Sequence, residues 1–187
     1  MSNEVLQIFK DSGAMLEGHF LLTSGLHSPE YWEKFRILQY PHHTVRLCQL
    51  IAEHYRDQNI KVVAGPTTGG IILAFEVARQ MGIRSIFAEK EGNIRTFRRS
   101  LSLEPGERVL IVDDVLTTGG SVKEVIEAVN GLSGNISGIG VLVDRTPQDI
   151  DFGIPLFSCL KVKTVTYQPS ECPLCASGIP LVKPSGG

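Results

Sequence analysis

Residues 107–121, E-R-V-L-I-V-D-D-V-L-T-T-G-G-S, constrain what this chain can fold into more than any other stretch. Val109, Leu110, Ile111 and Val112 form an unbroken apolar run, the pattern of a parallel strand buried on both faces. The run stops at two adjacent carboxylates, Asp113 and Asp114, and continues through Val115 and Leu116 into Thr117-Thr118-Gly119-Gly120-Ser121. Val122, Val125, Ile126 and Val129 then recur on one helical face. A helix that begins directly after a Gly-rich turn presents unpaired N–H groups and the positive end of its dipole, which suits a phosphate. Glycines let the backbone approach that phosphate, hydroxyls add donors, and two carboxylates at the strand end can accept hydrogen bonds from vicinal sugar hydroxyls. The combination predicts a clamp for ribose 5-phosphate. Other phosphate motifs fit worse: a P-loop needs Lys after its last Gly, where Ser121 stands, and the chain has no G-x-G-x-x-G.

The rest of the chain repeats the strand–turn–helix plan. Residues 61–64 predict a short buried strand that ends in G-P-T-T-G-G at 65–70, followed by the helix of Ile71, Leu73, Ala74, Phe75 and Val77. This is a second possible anion cradle, with Thr67 and Thr68 at its centre. Upstream, Val5, Leu6, Ile8 and Phe9 predict a short amphipathic helix, and residues 18–35 a β-hairpin whose aromatics either pack on the core or cover a flat ligand. Pro41 opens a helix with His42, His43 and His54 on its solvated face. Strands are expected at 84–88, 135–143, 155–161 and 164–167. Residues 89–100 are polar and basic and predict a loop or mobile hairpin, a lid that would neutralise pyrophosphate. The alternation predicts an α/β fold with a mostly parallel central sheet flanked by helices, its sites at the carboxyl ends of the strands.

Composition narrows the function classes. At 187 residues, 42% hydrophobic and 20% charged, the chain has material for one domain with a full core. A net charge of −2 implies no general attraction to nucleic acid or membrane. No apolar run approaches the ~20 residues of a membrane span, and the first residues do not read as a signal peptide. Four scattered cysteines predict reduced thiols in the cytoplasm. Two of them form Cys172-Pro173-Leu174-Cys175; a lone C-x-x-C without a second pair favours neither zinc nor redox chemistry.

The stretch D-D-V-L-T-T-G-G-S resembles the signature by which type I phosphoribosyltransferases bind phosphoribosyl pyrophosphate (PRPP). The segment G-H-F-L-L-T-S-G-L-H-S-P-E-Y at 18–31 is similar to the N-terminal hood of the orotate phosphoribosyltransferases, a form that purine enzymes of the class do not share. The resemblance covers nearly the whole chain, including the tail P-L-V-K-P. It implies one phosphoribosyltransferase domain over 1–187, with a hood from about 1–40 plus the C-terminal tail and a core at about 41–168. It implies transfer of the phosphoribosyl group from PRPP to orotate in pyrimidine (UMP) biosynthesis. Asp113, Asp114 and Lys90 would be catalytic. Those three, residues 115–121, Arg95, Thr67 and Thr68 would hold PRPP, and Thr117, Arg145, Tyr31, Trp32 and Thr23 would hold orotate. An Arg fork is the sensible partner for orotate's planar carboxylate. Mg²⁺ is implied as cofactor, bound mainly through PRPP with no direct protein ligand. So are a homodimer whose lid cations, Lys90 first, act on the neighbour's site, and a cis peptide at Thr67-Thr68. The chain departs from the family at Thr23, Gly69 and Asn93, where many members carry Lys, and at Arg95, where many carry His. Arg95, Arg98 and Arg99 are placed to compensate. The alternatives are a purine phosphoribosyltransferase, told apart by the hood and Arg145, and a PRPP-sensing regulator, which would need a basic face or an added nucleic-acid-binding module.

Overall fold

The computed structural model describes residues 2–184 except Thr23 and Asn93. Among the described residues, eight strands and six α-helices follow one another as α1 (Ser2–Asp11), β1 (Met15–Leu21), β2 (His27–Trp32), α2 (Lys34–Leu38), α3 (Pro41–Tyr55), β3 (Val62–Pro66), α4 (Gly69–Met81), β4 (Arg84–Glu91), β5 (Ile94–Phe97), β6 (Arg108–Leu116), α5 (Gly120–Gly131), β7 (Asn135–Asp144), β8 (Leu156–Lys161) and α6 (Pro173–Ala176). Six strands form one sheet in the order β5-β4-β3-β6-β7-β8; β1 and β2 form a separate two-stranded sheet. Within the large sheet only β4–β5 is antiparallel.

The apolar run of β6 works as its pattern predicts. Leu110 and Val112 join Val63 and Leu142 in a core packed by α3 and α4. Val109 and Ile111 join Val62, Ala64 and Ile139 in a second core packed by Val122, Val125 and Val129 of α5. Successive residues thus feed opposite layers, because side chains alternate across a sheet, and both layers are dry because helices cover both faces. Burying each such Val, Leu or Ile side chain contributes about 1.5–3 kcal/mol.

Three expectations change. Residues 164–167 are not a strand; only Tyr167 pairs there, exchanging backbone hydrogen bonds with His27 at 2.9 and 2.8 Å. The hairpin does not run on to Phe35: β2 ends at Trp32, and α2 follows. The basic segment at 89–100, expected as a loop or a hairpin, narrows to the hairpin, in which Lys90 pairs with Arg95 and Glu91 with Ile94. His42 and His54 are exposed, as their helical spacing suggests.

Candidate active site

The second and first Gly-rich turns follow adjacent strands, β3 and β6, and open onto one cleft. It measures about 300 Å³ and is lined by Phe35, Pro66, Thr67, Thr68, Gly69, Arg95, Asp113, Asp114, Val115, Thr117 and Ser121. Eight residues proposed from sequence therefore share one cavity. Phe35 was not among them; its place at the start of α2 hides its role from a strand reading.

The acidic pair is held by its own surroundings. Asp113 and Asp114 are 5% and 3% exposed. Asp113 accepts the Asp114 N–H at 2.8 Å and the Ser121 hydroxyl at 2.6 Å; Asp114 accepts the Val115 N–H at 2.7 Å. Buried carboxylates that accept such bonds are oriented before any ligand arrives. The bond from Ser121 ties the strand end to the first turn of α5 and shapes the loop between them. That loop depends on Gly119, the N-cap of α5, whose φ of +76° lies in the left-handed region. A Cβ there would also press on Phe152 at 3.0 Å and Ile150 at 3.1 Å. No side chain caps α5, so its first N–H groups face the turn. Thr118 and Gly120 belong to that turn but do not line the cleft, and Leu116 is buried in the core, so only its backbone bears on the site.

Across the cleft, the Thr67–Thr68 peptide is cis, as the resemblance implies. Arg95 reaches back from β5 to this turn: its Nη1 donates to Thr67 Oγ1 at 3.0 Å and to the carbonyls of Thr67 and Ala88 at 3.3 Å. Its Nε lies 2.9 Å from Glu124 Oε2. Arg95 therefore serves its own chain's cleft. Arg98 and Arg99 pair within the hairpin, with Glu91 at 3.9 Å and Glu89 at 2.9 Å, and do not line it. Lys90 stands opposite Arg95 on the same face of the hairpin, exposed and outside the lining. The departure at Gly69 has a steric basis, since a Cβ there would lie 2.3 Å from Asp114 Oδ2.

Arg145 follows β7, and its N–H donates to Leu116 O at 2.8 Å, so it sits beside the acid-bearing strand end. Its guanidinium carbon lies 5.7 Å from the centre of the Trp32 ring, and its Nε is buried without a hydrogen-bond partner among the described residues. Burial pulls its pKa below the ordinary value, with Glu30 and Tyr31 acting the other way; an arginine remains charged even so. A half-buried cation on an aromatic face has the chemistry to take a carboxylate. Trp32 is 8% exposed, packs 5.5 Å from Phe9 and lies under the Arg145 guanidinium; neither Trp32 nor Arg145 is among the residues that line the cleft. Tyr31 is half-buried beside Phe20. Thr23 lies outside the described residues.

Comparisons with known proteins agree with this geometry. The profile of the phosphoribosyl transferase domain matches residues 36–165. The orotate phosphoribosyltransferase of Caldanaerobacter subterraneus subsp. tengcongensis is 51% identical over 181 residues, 97% of this chain and 95% of the relative. That of Desulforamulus reducens is 50% identical over the same shares. The crystal structure of orotate phosphoribosyltransferase from Aeropyrum pernix superposes with a TM-score of 0.72 at 27% identity, covering 84% of this chain and 93% of that one. Matched in profile, in sequence over nearly its full length and in fold, the chain belongs to the orotate phosphoribosyltransferases of the type I phosphoribosyltransferase family.

Proposed function

We propose that this chain, as one phosphoribosyltransferase domain over residues 1–187, transfers the phosphoribosyl group of PRPP to orotate, yielding orotidine 5′-monophosphate and pyrophosphate in pyrimidine biosynthesis. The observation that carries the reading is the pairing of the Asp113–Ser121 turn with a half-buried Arg145 at the end of the neighbouring strand, its Nε without a hydrogen-bond partner among the described residues. The turn at 117–121 and the first N–H groups of α5 receive the 5′-phosphate. Asp113 and Asp114 hold the ribose hydroxyls and offset the positive charge that develops on the ribosyl ring. Thr67, Thr68 and Arg95 receive the pyrophosphate. Arg145 takes the orotate carboxylate, and Thr117 and Tyr31 border the ring.

The cofactor assigned is Mg²⁺. The cleft offers hard oxygen donors only, from Thr67, Thr68, Asp113, Asp114, Thr117 and Ser121, alongside Arg95; that donor set suits Mg²⁺ carried in on the substrate's phosphates. Bound there, the ion neutralises the leaving pyrophosphate. We assign the chain to the cytoplasm, where its four free thiols stay reduced; no described helix is long and apolar enough to cross a membrane.

The assembly proposed is a two-fold homodimer with shared sites. Its support is an apolar surface beside the second turn, lined by Leu38, Val45, Ile71, Ile72 and Phe75, where Phe75 is 63% exposed. Such a patch on α3 and α4 needs covering, and a second copy seated there lies next to the cleft. The test of the reaction is incubation with PRPP and Mg²⁺ against orotate, uracil, hypoxanthine and adenine in parallel. Pyrophosphate release with orotate alone is expected; release with a purine and none with orotate overturns the reading.

A further inference from the structure

Away from the cleft, the two-stranded sheet and the C-terminal tail meet over four side chains that the reaction does not use. His19 of β1, His27 of β2, and Cys172 and Cys175 at the start of α6 converge so that one ligand atom from each lies within 4.8 Å of all the others. The measured separations are 2.9 Å from His19 Nε2 to His27 Nδ1, 3.5 Å from Cys172 Sγ to His19 Nε2, 3.7 Å from Cys175 Sγ to His19 Nε2 and 3.3 Å from Cys175 Sγ to His27 Nδ1. Around a tetrahedral ion with metal–sulfur bonds near 2.3 Å and metal–nitrogen bonds near 2.05 Å, ligand atoms stand roughly 3.3–3.8 Å apart. The cluster is thus close to a coordination shell in size. We propose that His19, His27, Cys172 and Cys175 bind one Zn²⁺ and that this ion staples the C-terminal tail onto the two-stranded sheet.

The hydrogen bonding around the ligands supports this. His19 Nδ1 lies 2.8 Å from the Ile179 carbonyl. A carbonyl only accepts, so Nδ1 carries the proton and the Nε2 lone pair faces the cluster; a ligating histidine is ordinarily fixed in this way. His19, His27 and Cys172 are 2%, 5% and 4% exposed. Cys175 is exposed and leaves a path of entry. Two thiolates and two neutral imidazoles neutralise a divalent ion, which suits a shell three-quarters buried. On binding, each thiol S–H bond gives way to a sulfur–metal bond, two protons pass to solvent, and no electron is transferred. Tetrahedral N₂S₂ ligation selects Zn²⁺ over hard cations.

The fold gives the ion a task. A lone two-stranded sheet is marginal in water, and the tail brings almost no core to it: among the described residues from 163 to 184, Cys172 is the one buried side chain. Among the described residues, what joins them otherwise is four backbone hydrogen bonds, Leu21 to Val182, Val182 to His19, His27 to Tyr167 and Tyr167 to His27, with the bonds of His19 and Ser28 to tail carbonyls. A zinc ion links both strands to the tail at one point.

The test uses the full chain, purified without a polyhistidine tag or chelator and kept reduced. Elemental analysis should find about one Zn²⁺ per chain, and the Co²⁺-substituted protein should show the sulfur-to-cobalt charge-transfer and d–d absorption of a tetrahedral thiolate site. Cys175→Ser, at an exposed position that does not threaten folding, should weaken Zn²⁺ by more than about tenfold. Chelation of the wild type should open the chain after Lys163 to trypsin. Absence of stoichiometric metal after reconstitution with Zn²⁺, a Cys172–Cys175 disulfide in the native protein, or unchanged affinity in both Cys175→Ser and His27→Gln overturns the site. Full metal loading with trypsin sensitivity indifferent to chelation overturns the staple.

Discussion

Gly69→Ala isolates the geometry of the acidic pair. Gly69 opens α4, and the space where its side chain would lie is taken by the Asp114 carboxylate, with Oδ2 at 2.3 Å and Cγ at 3.1 Å from an ideal Cβ. Restoring even the tightest tolerable contact moves that carboxylate by roughly 0.7 Å. Misplacing a catalytic group by about 1 Å costs on the order of 100-fold in rate, or about 2.7 kcal/mol of transition-state stabilisation. The cost to the fold is smaller. Overpacking costs about 1–3 kcal/mol, while alanine in place of glycine at a compatible helix position returns about 0.4–1 kcal/mol. For a chain of this size the net cost of at most about 2.6 kcal/mol lowers Tm by at most about 10 °C. The assay is steady-state kinetics with PRPP and orotate beside a thermal melt. Gly131→Ala is the control, since a Cβ there meets nothing within 4 Å; it should leave activity unchanged. If Gly69→Ala kept kcat/KM within about threefold of wild type, the carboxylate's position would not matter and the assignment of Asp114 would fall.

Three further outcomes follow from the site and its supports. Arg145→Ala should raise the KM for orotate by about 30-fold or more, the loss of a charge-assisted fork worth about 2 kcal/mol or more, and leave the KM for PRPP nearly unchanged; constants that move together refute the carboxylate role. Glu76 is 9% exposed and held below the ordinary carboxyl pKa, chiefly by its hydrogen bond from Arg79, with Gln80 assisting. A depressed carboxyl stabilises the fold above its unfolded pKa of about 4.5, and that stability is lost as pH falls through the folded value; Glu76→Gln should therefore melt lower at pH 7 and lose less on acidification below pH ~4.5, and parallel Tm–pH curves would refute this. Mixing Lys90→Ala with Asp114→Asn, each inactive alone, should restore at most about half of wild-type activity per heterodimer, one composite site of two; no recovery despite subunit exchange would mean that Lys90, like Arg95, serves its own chain.

What was legible in the sequence was what lies contiguous in it. The β6 run, the acids and the turn follow one another from Arg108 to Ser121, so strand, ligand groups and helix start could be placed without tertiary information. Thr67 and Thr68 could be placed for the same reason. Direction was less legible. Trp32 and Tyr31 are sequence neighbours on one strand, so their side chains point to opposite faces. Trp32 faces the core, under a cation that only the fold brings there. The basic segment showed its charge but not its pairing: Arg95 is drawn inward by Thr67 and Glu124, while Arg98 and Arg99 are taken up by local acids. The His–Cys cluster was the least legible. Its halves lie about 150 residues apart, and a lone C-x-x-C carries little weight until the hairpin's two histidines face it.

Strand order and proposed chemistry run in the same direction across the sheet. From one side, β5 contributes Arg95, β3 the Thr67–Thr68 turn, β6 the acids and the phosphate turn, and β7 leads to Arg145. Along the proposed reaction coordinate the groups come in that sequence: departing pyrophosphate, ribose with its 5′-phosphate, then the carboxylate of the incoming base. Inversion at the anomeric carbon requires acceptor and leaving group on opposite sides of the ribose. A sheet that sets the pyrophosphate turn and Arg145 on strands flanking the acid-bearing one supplies that arrangement from topology alone. The crossovers that keep β3, β6 and β7 parallel also bring all three carboxyl ends to one edge. In the proposed reading, specificity rests on the far end of the row: a base without a carboxylate leaves the half-buried Arg145 with only the Trp32 face, and that lost pairing is the expected penalty.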